Sequence, residues 1–217
     1  MSPILTRLLE GELPPGKLTL LYGRGGADKT NIAILCAVTY AMRGFKVLYF
    51  DSEGSFSRVR LDYVKRVYPQ TIEKILLMHP KTFWEQGKCI RALERFIYPQ
   101  VKLIIFESIN FLYRVALDGT SQTAFSLNRE LNFQLGFLKE ISRKYTLPIL
   151  LTSQVRVSLD GEVEPVAARI LKSWCDIIVF LEPNEQAQKT VATLIKPAVK
   201  EKVEFRWLKY KLWLKKA

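Results

Sequence analysis

Histidine and cysteine are scarce in this chain, and their scarcity removes whole classes of chemistry. His79 is the single histidine, and the three cysteines, Cys36, Cys89 and Cys175, lie far apart with no C-x-x-C spacing. A zinc site draws on clustered His and Cys donors, and a disulfide framework needs paired thiols, so neither is credible. Each cysteine stands in an apolar stretch, which predicts a small buried side chain. Long apolar runs are missing as well. The longest, residues 32–42, is roughly half of a ~20-residue membrane span, and residues 1–7 lack the apolar core of a secretory leader. The expectation is a soluble cytoplasmic protein with no membrane partner. No repeat, low-complexity tract or linker interrupts the 217 residues, which predicts one domain over 1–217. Acids are the minority charge: 21 Asp and Glu stand against 33 Lys and Arg, a net charge of +12. That excess points to a polyanion, nucleic acid before membrane. With 48% hydrophobic residues the chain has enough apolar material for a packed core.

One glycine is missing where it matters. Gly23-Arg24-Gly25-Gly26-Ala27-Asp28-Lys29-Thr30 follows an apolar run and leads into a helical pattern over 31–42. That is the setting of a phosphate-binding P-loop, whose backbone N–H groups close around phosphate oxygens at a helix N-terminus. The lysine reaches the β- and γ-phosphates and the threonine hydroxyl holds Mg²⁺. Asp28, however, occupies the position of the second required glycine. A carboxylate beside the phosphates would cost a few kcal/mol at an effective dielectric of ~20, offset in part by Arg24 and Lys29.

Residues 17–22 read as the first strand after a Pro14-Pro15-Gly16 turn, and 46–50 as the second. Asp51-Ser52-Glu53-Gly54 follows directly. An acid at that strand end is placed either to orient a water against a γ-phosphate or to face solvent from a turn. A helix over 59–67, a strand over 75–78 and a helix over 83–96 come next; His79 reads as a strand-end residue. The strand at 101–106 runs into Glu107, the form of a Walker B acid, although aspartate is usual there. Residues 113–122 read as a loop, 124–144 as a long helix with Phe125, Leu131, Leu135, Leu138 and Ile141 in the core, and 148–152 as a strand ending at Ser153-Gln154. Gln154 either senses a γ-phosphate or caps the strand. Residues 157–173 read as a mixed loop, long enough to carry function. Strands are expected over 174–181, 190–196 and 203–214, with a bulge or break where alternation changes phase at Leu208.

In sum, LYGRGGADKT at 21–30, YFDSEGSF at 49–56, LIIFES at 103–108, Tyr113-Arg114, PILLTSQV at 148–155 and PVAARILKSWCD at 165–176 resemble the RecA/RadA recombinase core. Within it the chain looks most like the RadB group, short archaeal RadA paralogues without the N-terminal helical domain. The likeness covers roughly residues 8–205. It implies an α/β fold: a doubly wound, mostly parallel sheet with helices on both faces, an antiparallel C-terminal extension, and ATP with Mg²⁺ at the sheet's C-terminal edge. By position, Gly23, Arg24, Gly25, Gly26, Ala27, Asp28, Lys29 and Thr30 would hold the nucleotide. Thr30 and Glu107 would hold Mg²⁺, Glu53 would orient the water and Gln154 would sense the γ-phosphate. Arg114, Arg156, Arg169 and Lys172 would face DNA, single-stranded by preference. The resemblance further implies DNA repair and homologous recombination, and a role modulating a full-length RadA-type recombinase. Two departures bear on turnover: the Walker changes at Asp28 and Glu107, and Ile195-Lys196-Pro197-Ala198 where the family carries a charged Arg/His-Arg cluster. They imply weak or absent hydrolysis. An active ATPase of the KaiC type without a DNA role, and a structural subunit with a vestigial site, share these motifs.

Overall fold

A computed structural model of the chain describes residues 3–117, 119–157, 161–184, 188–197, 201–208 and 211–214. Its elements in chain order are α1 (Pro3–Leu9), β1 (Leu18–Gly23), α2 (Lys29–Met42), β2 (Lys46–Asp51), α3 (Arg58–Val67), β3 (Ile75–Met78), α4 (Phe83–Arg91), β4 (Val101–Glu107) and α5 (Phe111–Ala116). There follow α6 (Ser121–Tyr145), β5 (Ile149–Ser153), β6 (Val155–Val157), β7 (Val163–Pro165), α7 (Ala168–Trp174), β8 (Ile177–Asn184), β9 (Lys189–Lys196), β10 (Glu201–Leu208) and β11 (Lys211–Leu214).

Nine strands form one sheet in the order β11-β10-β9-β8-β1-β5-β4-β2-β3, and β6 pairs only with β7. From β8 through β3 every pairing is parallel; β9, β10 and β11 are added antiparallel. The expected sheet, helices and C-terminal extension are therefore present. The apolar runs explain the central strands. All six residues of β1 are buried, and successive side chains point to opposite faces, so a strand covered on both sides must be apolar throughout. Leu21, Val47, Tyr49, Leu103 and Ile105 face one core with α1 and α2. Leu18, Leu20, Phe50, Ile104 and Phe106 face the other, with α4 and α6.

Four stretches differ from the reading of the sequence. The helix at 83–96 ends at Arg91 and continues as a 3-10 turn over Leu93–Phe96. The loop at 113–122 contains the end of α5 and the start of α6, where Thr120 caps the helix by accepting from the Thr123 N–H. Residues 157–173 hold the β6–β7 hairpin and α7. These elements are three to seven residues long, too short for apolar periodicity to register. The strand expected from Trp174 begins at Ile177, Trp174 being the last residue of α7, and the phase change at Leu208 marks the end of β10 before the antiparallel β11. Cys36 and Cys175 are buried as expected; Cys89 is only partly so. Among the described residues no helix is long and apolar enough to cross a membrane.

Asp176 locks the central strands from below. Its carboxylate accepts from the Leu18 N–H at 2.9 Å and pairs with Lys139 of α6. Burial pushes its pKa up, but Lys139, the Leu18 N–H and Lys17 together hold it below the ordinary range.

At the upper end, Gly23 lets β1 lie against β8. A Cβ there would stand 2.2 Å from the Leu181 carbonyl oxygen and 3.1 Å from the Ala27 Cβ. Gly23→Ala is expected to destabilise the protein by about 1–3 kcal/mol, the usual cost of overpacking. A denaturant midpoint unchanged from the parent would refute that account of the contact.

Candidate functional site

Parallel pairing brings the C-terminal ends of β1, β2, β4 and β5 to one rim. Register aligns them: Asp51 is the Cα partner of Glu107, and Tyr22 that of Ser153. A cleft of about 530 Å³ opens there, lined among others by Gly23, Arg24, Gly25, Gly26, Lys29, Thr30, Glu53, Glu107 and Gln154. Residues from four separate motifs thus share one cavity. A Cβ added to Gly25 or Gly26 would meet nothing within 4 Å, and Gly26 has φ +77°. The loop therefore borders open space directly ahead of the first turn of α2, whose N–H groups have no intrahelical partners.

Asp28 does not point where its motif position suggested. It takes φ 58°, the left-handed conformation that glycine supplies without strain. Its carboxylate accepts from Thr190 Oγ1 of β9 at 2.5 Å and from Asn31 Nδ2 at 2.8 Å. It lines a separate polar crevice of about 190 Å³ with Gly26, Pro183 and Thr190. Ala27 is buried beneath the loop, so neither side chain walls the larger cleft. Lys29 Nζ donates to the carbonyls of Gly23 and Arg24, each at 2.8 Å. Burial lowers the Lys29 pKa, against the opposing pull of Glu53, Glu107 and Asp28.

The acids are wired together. Glu107 is buried and its pKa is pushed up to about 7, chiefly by burial, with Asp51 and Glu53 adding to the rise. Hydrogen bonds from Thr30 and Tyr49 oppose that shift. Thr30 and Glu107 lie side by side, an oxygen donor set that suits Mg²⁺; together with Lys29 and the open glycine loop they fit a magnesium nucleotide. Glu53 accepts from Gln154 Nε2 at 2.9 Å, so the side chains that follow β2 and β5 are in direct contact.

Three positioning residues escaped the reading of the sequence. Asp51 is buried and accepts from the Ser55 and Phe56 N–H groups, both at 2.9 Å, which folds the turn that carries Glu53. The Asp51 carbonyl oxygen also lies 3.2 Å from Nδ1 of the strand-end His79. Tyr49 lies buried beneath Glu107. Asn110 donates to Ser153 Oγ at 2.7 Å and to the Val166 carbonyl at 2.9 Å, tying the segment after Glu107 to the β6–β7 region. The alternation of β2 could have flagged Tyr49 as sharing a face with Asp51; nothing local marks Asn110.

The four residues expected at DNA lie beyond the cleft and are exposed. Arg114 sits 5.9 Å from the Phe111 ring centroid on α5. Arg156 of β6 forks onto Glu164 at 2.7 and 3.1 Å, and Lys172 approaches the same carboxylate at 4.0 Å. Arg169 carries no acid partner among the described residues. Lys196, within the altered late-strand segment, donates to the Lys172 and Cys175 carbonyls at the end of α7; Ala198 of that segment lies outside the described residues.

Against known proteins, the Rad51 family profile matches residues 2–191. A DNA repair and recombination protein RadB of Methanobrevibacter smithii is 34% identical over 198 residues, covering 88% of this chain and 83% of the relative. One from Methanocaldococcus jannaschii is 30% identical over 204 residues, covering 94% and 95%. A crystal structure of RadB recombinase superposes with a TM-score of 0.76 at 28% identity, covering 97% of this chain and 96% of that one.

The raised Glu107 pKa has a stability consequence. Between its ordinary value of 4.5 and about 7, the folded state holds a proton that the unfolded chain releases. Stability therefore falls as pH rises through that window, by up to about 3 kcal/mol. Glu107→Gln should raise the melting temperature by several degrees at pH 8 and by much less at pH 4.5. Equal gains at both values would show that the carboxyl carries no such penalty.

Proposed function

The chain belongs to the Rad51 family, and we propose that, as a RadB-type DNA repair and recombination protein, it binds ATP with Mg²⁺ at the β1–β5 rim and DNA beside it. One observation carries the reading: Lys29, Thr30, Glu53, Glu107 and Gln154, drawn from four distant motifs, line one cleft. Lys29 would leave the loop carbonyls for the β- and γ-phosphates. Thr30 and Glu107 would hold the ion, which would neutralise the charge that develops on the phosphates. Glu53 would orient the attacking water once released from Gln154, whose amide would turn to the γ-phosphate.

Turnover is weak in this reading, for reasons within the site. Glu107 must shed a proton near neutrality before it can serve a cation, and the Glu53 carboxylate already has a donor. Asp28 adds charge near the loop without entering the cleft. The chain then acts as a nucleotide-binding partner that modulates a full-length RadA-type recombinase. Arg114 and Arg169 meet DNA phosphates first, because Arg156 and Lys172 share the carboxylate of Glu164. Such contacts position a strand without reading its sequence.

Two measurements test this. In titrations of a fluorescent ATP analogue with Mg²⁺, Lys29→Ala should weaken binding more than tenfold. Asp28→Asn, which keeps an acceptor for Thr190 and removes the charge, should tighten it several-fold. If the parent and Asp28→Asn proteins are both inert, the nucleotide role is lost. For DNA, Arg114→Ala and Arg169→Ala should each weaken binding and reduce the salt dependence by about one phosphate contact. Arg156→Ala should have the smaller effect; binding that ignores salt would count against the DNA role.

A further inference from the structure

The outer faces of α4 and α6 carry an aromatic and cationic surface that the nucleotide site does not use. Trp84, Lys88 and Arg91 recur on α4 at i, i+4 and i+7; Phe125, Arg129 and Phe133 recur on α6 at i, i+4 and i+8. Each set lies along one side of its helix. The aromatics are largely in solvent: Trp84 is 50% exposed, Phe125 72% and Phe133 51%. Phe125, which its spacing assigned to the core, is thus the most exposed large apolar side chain among the described residues. The two helices wall a cleft of about 490 Å³ between these rings.

Charge in the cleft is unbalanced toward positive. Arg91 lies 5.3 Å from the Phe133 ring centroid and is paired with Glu130 at 2.9 Å. Arg129 in the cleft and Lys88, an exposed α4 residue one turn from Trp84 and outside the cleft lining, have no acid partner among the described residues. The floor is firmly built. Glu130 also accepts from Gln134 Nε2 at 3.0 Å, and Gln134 accepts from the fully buried Gln86 at 2.9 Å. Gln86 accepts in turn from Ser52 Oγ at 3.2 Å, beside Glu53. Gly87 makes room for this chain, since a Cβ there would stand 2.2 Å from Glu130 Oε1.

Exposed rings interleaved with unpaired cations suit a polymer that alternates flat apolar groups with anions. Unpaired bases stack on aromatic faces while phosphates meet the cations. Phe125 and Phe133 are eight residues apart, about 12 Å along the helix, which leaves room for more than one base. We propose that this cleft docks single-stranded DNA, its bases on Trp84, Phe125 and Phe133 and its phosphates at Lys88 and Arg129. The inference rests on the DNA-binding reading and adds a second contact surface to it. Because stacking needs unpaired bases, the cleft should distinguish single strands from duplex, which phosphate contacts alone do not.

The test compares the full chain with the Trp84→Ala/Phe125→Ala double variant, both changes being at exposed positions. Each is titrated at low salt with fluorescent oligo(dT) and with a duplex of equal length. The expected result is an oligo(dT) affinity reduced at least about tenfold, duplex affinity within twofold of the parent, and an unchanged melting temperature. Arg129→Glu should weaken oligo(dT) binding in the same direction. Oligo(dT) affinity within twofold of the parent, or an equal loss for both DNAs, would overturn the inference, leave the DNA-binding reading standing and return the cleft to a protein partner. A parent chain that binds neither DNA overturns both.

Discussion

The parallel pairing of β1 with β5 on one side and β8 on the other makes one site out of segments that are otherwise far apart. Parallel strands end at the same edge, so whatever follows each of them is delivered to one rim. The glycine loop follows β1, the Asp51–Phe56 turn follows β2, Glu107 closes β4 and Gln154 follows β5. The register of Asp51 against Glu107 sets the two acidic stations level. Without Gly23, whose bare backbone admits the Leu181 carbonyl, β1 would be pushed away from β8 and the loop would lose its base.

The two altered motif positions are accommodated in different ways. Asp28 keeps the left-handed backbone that the loop requires and directs its carboxylate to β9, where the otherwise buried hydroxyl of Thr190 finds an acceptor. Its substitution for glycine therefore exchanges conformational ease for a tether between the loop and the β8–β9 hairpin. Glu107 instead remains inside the cleft. Tyr49 and Thr30 hydrogen-bond it there, yet burial still dominates and keeps its proton affinity near neutral pH. The first change is structural in effect. The second sets the charge inside the cleft.

The site was more legible than the surface around it. Loop glycines, an acid after a β-strand and a polar amide at a strand end are local patterns, and each of those stations lines the cleft. Tyr49 and Asn110 were missed as positioning residues because their partners are supplied by other segments: Asn110 reaches Ser153 and Val166, 43 and 56 residues away. The set expected at DNA was read as four cations alike, whereas Glu164 pairs with Arg156 across a hairpin that no periodicity announced and with Lys172 from α7. Phe125 shows the same limit from the other side. An aromatic at helical spacing reads as core, but Phe125, in the second turn of α6, is left 72% exposed.

What the sequence alone determined is the order of the parts: apolar runs buried on both faces, the helices between them, and chemistry-bearing residues at the strand ends. Those follow from backbone periodicity and from solvent exclusion, which act locally. The folded chain decided which way each side chain turned. It sent Asp28 to β9, joined Gln154 to Glu53, divided Glu164 between two cations and left a row of aromatics in water. Each outcome depends on which groups stand within about 3 Å across the packed elements, a distance that no pattern along the chain encodes.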